Sequence, residues 1–290
     1  MTPLYVIFTL DGAPYRSGCL PKGPATWEAS ARTIDAFCTT LLRAGFPPTV
    51  FVTPETAAEH APLLEEFRAG TVDVGLLLQP PSLHHGGYRH YLGAYDGATQ
   101  GKIVREALGR FEGALGYRPL SARTAMFSAS DETYAVLAGA GFRHTSLSSP
   151  GRHTPKYQAA WDGAATDAHY ASATSRLEPG TLPLLEVPVT TDATQRRGGI
   201  APDLAIENGT LERWHAPLID AQLARQEAAG LDRRALCFTS ATDVTYDDRA
   251  SRPRRTLDDL VEYLLSLGER YELVPTTLAG AYAHFRRHLT

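Results

Sequence analysis

The chain has 290 residues, 43% apolar and 21% charged, with 28 Lys and Arg against 32 Asp and Glu. That suits a globular protein with a sizeable core. The formal charge of −4 gives no electrostatic reason to expect a nucleic acid or an anionic membrane as partner, and no apolar run reaches the roughly 20 residues that span a bilayer.

The amino terminus, MTPLYVIFTLDG, reads directly as a strand over 4–10 and lacks the segments of a secretory signal. Strands follow at 49–53, 72–78, 120–124, 144–149, 184–190, 235–241 and 271–277. Between them, amphipathic stretches near 26–45, 55–69, 97–116, 130–140, 210–229, 255–268 and 277–288 read as helices, with Ser130 and Thr210 placed as caps. The strands are apolar with little alternation, as in a parallel sheet covered on both faces. Helix and strand alternate without a Gly/Pro-rich linker, so residues 1–290 are expected to form one α/β domain. Two long loops, 79–96 and 150–182, interrupt the rhythm; loops of that length in a compact domain tend to carry function. Cys19, Cys38 and Cys237 are odd in number and widely spaced, which points to neither a disulfide framework nor a structural zinc site. A cytoplasmic location is expected.

In a parallel barrel the working residues gather at the carboxyl ends of the strands. Those ends carry Thr9 and Asp11, Thr53, Gln79, Arg123, Ser148, Glu186 with Thr190, and Ser240 with Asp243. Asp11 is followed by Gly12-Ala13-Pro14 and is placed over the mouth. Glu186 lies in LLEVPVT, where a carboxylate among apolar side chains needs a partner or a proton; Arg123 is a candidate partner. Tyr88, Tyr91, Phe127, Trp161 and Trp214 offer flat faces for a ring-shaped ligand, and His85, His90 and His215 offer imidazoles.

FTLDGAP at 8–14, AGFPPTVFVTP at 44–54, DVGLLLQP at 73–80, GYRPLSARTAMFSAS at 116–130 and LAGAGFRHTS at 137–146 occur in the order seen in the polysaccharide deacetylases, the nodulation-type domains of carbohydrate esterase family 4. The resemblance runs over nearly the whole chain and implies a distorted (β/α)7–8 barrel. It also implies a general base and a metal-binding carboxylate in a TFDDGP-like first motif, a histidine pair in the second, an arginine that orients the base, and a late histidine. In this chain the base is kept as Asp11 and the arginine as Arg123. Gly12 stands where the metal-binding carboxylate would be, Leu77 and Gln79 stand at the histidine positions, and Ser240 falls close to the late histidine.

A catalytic zinc needs about three imidazole, thiolate or carboxylate ligands, which Gly12, Leu77 and Gln79 cannot supply. No metal and no organic cofactor are therefore expected at the usual position, unless His84, His85 and His90 build a relocated site with Asp11. The favoured reading is a metal-independent enzyme acting by acid/base chemistry on a carbohydrate-like or other small polar metabolite. Asp11, Arg123 and Glu186 would be catalytic. Gln79, His85, Tyr88, His90, Phe127, Trp161, Ser240 and Asp243 would bind substrate. Acyl or C–N hydrolysis, isomerisation, elimination and cyclisation all stay open. So do a non-catalytic sugar- or protein-binding role, a metal-dependent deacetylase with relocated ligands, and assembly as a homo-oligomer.

Overall fold

Side chains alternate across a strand, and in the first strand, β1 (Pro3–Gly12), that alternation divides two cores. Leu4, Val6, Phe8 and Leu10 pack outward with helix residues such as Ile34 and Phe37, while Tyr5 and Ile7 join a second cluster with Phe51, Leu77, Leu185 and Cys237. Thr9 and Asp11 continue the inward series, so one strand carries a hydrophobic interior up to a polar mouth.

The computed structural model describes residues 1–16, 23–83, 87–196 and 201–285. After β1 come α1 (Trp27–Arg43), β2 (Thr49–Val52), α2 (Pro54–Glu59), α3 (Ala61–Ala69), β3 (Asp73–Leu78), α4 (Gly97–Leu115), β4 (Ser121–Thr124), α5 (Thr133–Gly139) and β5 (His144–Thr145). A small hairpin of β6 (His153–Thr154) and β7 (Ala159–Ala160) precedes β8 (His169–Tyr170), β9 (Leu185–Glu186), α6 (Ala216–Ala228), β10 (Arg234–Ala241), α7 (Arg252–Ser266), β11 (Glu272–Pro275) and α8 (Leu278–Phe285). The main sheet runs β10-β1-β2-β3-β4-β5-β9-β8, with β11 also on β1. Its pairings are parallel except β8 with β9. The sheet curls until Thr190, just past β9, meets β10: its N–H donates to Cys237 O at 3.0 Å and its Oγ1 accepts from Cys237 N–H at 2.9 Å. The result is the distorted (β/α) barrel expected from the motifs. At the end where β2 and β5 begin, Leu278 and Ala281 of α8 fill the interior, and the Leu278 N–H donates to Thr49 Oγ1 at 3.0 Å.

The differences from the expected elements have local causes. The helix read over 55–69 divides at His60, because Pro62 lies in the first turn of α3 and offers no N–H. The stretch near 210–229 opens with a π-turn over Leu211–His215 before α6, and Thr210 makes no capping bond. Thr26, Thr53, Asp96 and Ser251 do cap their helices, each accepting a backbone N–H; such a cap contributes about 1 kcal/mol. Ser130 instead sits three residues ahead of α5, with Thr133 Oγ1 accepting its N–H at 2.9 Å. The strand read over 184–190 keeps only Leu185–Glu186 as regular pairing, since Val189 N–H turns to Ser148 O and Thr190 turns to β10. No described helix is long and apolar enough to cross a membrane.

Candidate active site

Arg123, at the end of β4, has no solvent exposure, yet every nitrogen of its guanidinium has an acceptor. Nε donates to Ser146 O at 2.8 Å and Nη2 to Ser146 Oγ at 2.7 Å. Nη1 reaches Thr9 Oγ1 at 2.8 Å, Thr239 Oγ1 at 2.9 Å and Asp11 Oδ1 at 3.0 Å. The ring faces of Phe51 and Phe127 flank the cation at 4.7 and 5.6 Å. A buried charge survives only when paired and hydrogen-bonded, and this fork spends its geometry on Asp11. The Asp11 side chain, 19% exposed, stands above it. Burial pushes the Asp11 carboxyl above its ordinary value against the pull of Arg123, so it binds a proton more readily than a surface aspartate.

Asp11 opens into a cavity of about 200 Å³ also lined by Leu77, Gln79, Tyr91, Met126, Phe127, Arg152, Glu207, Thr239, Ser240, Thr242 and Asp243. Leu77 is both floor and core: it lines the cavity and belongs to the inner cluster. Gln79 makes no side-chain hydrogen bond among the described residues. Met126 and Phe127 hold φ of 60° and 59°, a left-handed conformation costly for residues with a Cβ, and this turn brings both side chains to the mouth. Arg152 lies over the Phe127 ring at 4.5 Å and donates from Nη2 to Asp203 Oδ2 at 3.3 Å, while its Nε is buried without a partner.

Glu207, another lining residue, sits in a single helical turn, Ile206–Asn208, ahead of α6. Asp203 fastens that turn, with Oδ1 accepting from Asn208 Nδ2 at 2.6 Å and Ala205 N–H at 3.2 Å; Arg252 Nη2 donates to Glu207 O at 2.8 Å. The Glu207 Oε2 accepts from Ser240 Oγ at 3.0 Å, and Ser240 Oγ lies 2.7 Å from the Tyr246 hydroxyl. Burial raises the Glu207 carboxyl to about 7.

Of the residues singled out from sequence, the structure thus gathers Asp11, Gln79, Phe127, Ser240 and Asp243 around one cavity, with Arg123 directly beneath. It separates others from it. Glu186 is fully buried, and its carboxylate accepts Leu147 N–H and Ser148 N–H, both at 2.9 Å, and Thr145 Oγ1 at 2.7 Å; Arg123 has other partners. Trp161 is fully buried and donates from Nε1 to Phe127 O at 2.8 Å, a packing role beneath the mouth. Tyr88 is half-buried against Tyr95, and His90 is exposed; neither lines the cavity. His215 is buried against Ile206 O, and burial lowers its imidazole to about 4, leaving it neutral near pH 7. His84 and His85 lie outside the described residues. Sequence reading missed Arg152 and Glu207, although Glu207 falls on the loop between a strand and a helix, where barrel sites are built.

The residues do not fit the metal site that the motifs imply. A Cβ at Gly12 would meet Val52 Cγ1 at 2.9 Å and Phe51 O at 3.3 Å, so the position has neither a donor nor room for one without a shift in β2. Leu77 presents hydrocarbon, and Asp11 is committed to Arg123. Among the described residues no group of three His, Cys, Asp or Glu side chains is arranged to hold a metal ion.

The curled, largely parallel sheet with its helices defines the fold as a distorted (β/α) barrel. No family model and no curated protein matches the chain. Solved structures do: a Mycobacterium smegmatis protein described as a polysaccharide deacetylase is 18% identical with a TM-score of 0.61, covering 99% of this chain and 91% of its own. A Pseudomonas aeruginosa PAO1 protein described in the same way is 14% identical with a TM-score of 0.64, and Puue allantoinase is 13% identical with a TM-score of 0.63, each over 99% of this chain and 91% of the other. At such identities the likeness is one of fold.

Proposed function

We propose that this protein is a deacetylase-like hydrolase that cleaves an acyl C–N or C–O bond of a small polar or carbohydrate-like substrate, with Asp11 as general base and no metal at the position implied by the motifs. The observation that carries this reading is Asp11 held by a buried arginine at the edge of a cavity, with its carboxyl raised by burial. A base works best when its proton affinity approaches the working pH. Asp11 takes a proton from a water in the cavity, and the water oxygen attacks the acyl carbon. The unpartnered Gln79 amide and the Arg152 guanidinium line the same space and offer N–H donors to the developing oxyanion, the role that preorganised donors play in acyl transfer. The absence of donor atoms at Gly12 and Leu77 supports a route that leaves a Lewis acid out.

Acetate release from 4-nitrophenyl acetate and from a panel of N- and O-acetylated sugars, before and after dialysis against dipicolinate, tests the proposal. Turnover that survives the chelator and is abolished by Asp11→Asn is expected. Loss on chelation with recovery on adding zinc returns a metal-dependent deacetylase, and saturable sugar binding without turnover returns a binding protein.

A further inference from the structure

We infer that Glu207 is the general acid of this site, protonating the leaving nitrogen, and that Ser240 is a positioning residue that aims and tunes it. The inference rests on the hydrolase reading above and adds the second half of its proton traffic. Asp11 and Glu207 are both cavity-lining carboxyls on different loops, Asp11 at the end of β1 and Glu207 beyond β9. Their partners differ. Asp11 is bonded to a guanidinium, which favours its ionised form; the one side-chain hydrogen bond to the Glu207 carboxyl among the described residues comes from a neutral hydroxyl. Burial raises both carboxyls, but a full positive charge opposes that rise at Asp11 and only uncharged donors oppose it at Glu207, and base and acid divide along that difference.

Ser240 stands near where the motifs would put a late histidine. A hydroxyl is too weak an acid to release an amine, so the position itself cannot do that work. It instead holds the group that can: Tyr246, whose burial keeps its phenol protonated, lies 2.7 Å from Ser240 Oγ, and Ser240 donates to Glu207 Oε2 at 3.0 Å. This run of hydroxyls fixes one oxygen of a carboxyl that lines the cavity. Asp203, Asn208 and Arg252 lock the backbone that carries it.

The step balances without a co-reactant. Water gives one proton to the Asp11 carboxylate and its oxygen bonds to the acyl carbon; the C–N bond breaks as the Glu207 carboxyl delivers its proton to nitrogen. Products are the acid and the amine, with Asp11 protonated and Glu207 ionised until solvent resets them.

The matched probes 4-nitrophenyl acetate and 4-nitroacetanilide differ only at the atom that leaves. Phenolate departs without a proton and the anilide nitrogen does not. Glu207→Gln is expected to lower the anilide-to-ester ratio of kcat/KM by at least about 30-fold, within the range a general acid supplies, and to remove the alkaline limb of the anilide profile. Ser240→Ala should move that limb to higher pH with little change in KM, because its hydrogen bond favours the ionised carboxyl. If Glu207→Gln fails to fold, Ser240→Ala alone still reports through the limb. An unchanged ratio in a folded Glu207→Gln, or a limb that Ser240→Ala leaves in place, overturns the inference while the hydrolase reading stands. A wild type that cleaves neither probe nor any acetylated sugar overturns the reading itself.

Discussion

Arg123 Nη1 and Asp11 Oδ1 lie 3.0 Å apart, and the same nitrogen holds Thr9 and Thr239. The pair is therefore part of the barrel's interior and part of its mouth at once. Removing one member of a buried ion pair leaves an uncompensated charge or a set of stranded acceptors. Arg123→Met should lower unfolding free energy by about 3–5 kcal/mol, and Asp11→Asn in that background should recover part of it; denaturant unfolding of the four-member cycle measures this. Asp11→Asn alone behaves differently. Because burial raises the Asp11 carboxyl, the folded state holds that proton more tightly than the unfolded chain, so the contribution of Asp11 to stability is full below its ordinary value of 3.8 and is lost as pH rises through its folded value. Asp11→Asn should then gain stability relative to wild type between acid and pH 7, from the offset set by leaving Arg123 without its counter-charge, and be inactive. A variant less stable at pH 7 than in acid, relative to wild type, contradicts the assignment.

Glu186 supplies a contrast between a carboxylate that braces the fold and the one proposed as base. Its two oxygens satisfy the N–H groups of Leu147 and Ser148 and the Thr145 hydroxyl, groups that would otherwise be buried without partners. Glu186→Gln turns one acceptor into a donor facing donors, which should cost about 2–3 kcal/mol. Folded protein should keep its kcat and pH profile. A kcat loss at unchanged stability would restore Glu186 to the mechanism.

The barrel was legible because it follows from local pattern, whereas the Asp11–Arg123 pair came from the resemblance of the motifs; pattern alone had offered Arg123 to Glu186. Apolar runs ending in a polar residue place Asp11, Gln79 and Arg123 at strand ends, and the strand ends share a mouth. Glu207 was not legible because its position depends on distant partners: Asp203 ties the turn, Arg252 reaches in from α7, Ser240 comes from β10 and Tyr246 from beyond it. Trp161 misled for the converse reason. Its loop, rich in Pro, Gly and His, reads as exposed, yet the indole has an acceptor at Phe127 O that lets it be buried whole. Glu186 was placed on the right strand with the wrong neighbours, since periodicity gives a side chain's face and not the N–H groups it will meet.

The turn at Met126 and Phe127 is a second feature without a sequence signal. Neither residue is glycine or asparagine, yet both hold left-handed φ, and Phe127 is what packs over Arg123 and Arg152. Met126→Val adds a branched Cβ to a conformation that tolerates it poorly and should cost about 2 kcal/mol. Met126→Gly relieves the strain but frees the unfolded chain and drops a half-buried side chain, so it should fall within about 1 kcal/mol of wild type. Thermal unfolding orders the three proteins; a Met126→Val as stable as wild type would show that the turn relaxes.

Glu207 leaves a mark on stability that needs no substrate to observe. Its folded carboxyl stands at about 7 against an ordinary value of 4.5, so folding favours the protonated form. The sign follows: relative to an uncharged side chain, the glutamate costs nothing below pH 4.5, becomes destabilising as pH climbs from there to about 7, and stays so above. Glu207→Gln should match wild type at pH 4 and exceed it at pH 8 by on the order of 3 kcal/mol. Ser240→Ala, which removes the hydroxyl donor to the ionised form, should be less stable than wild type at pH 8 by more than at pH 4. Urea unfolding of the three proteins at both pH values reads these differences directly. Parallel curves for wild type and Glu207→Gln across the range would mean that the carboxyl titrates as it does on an open surface, and the cavity would then lack the protonated acid that release of an amine requires.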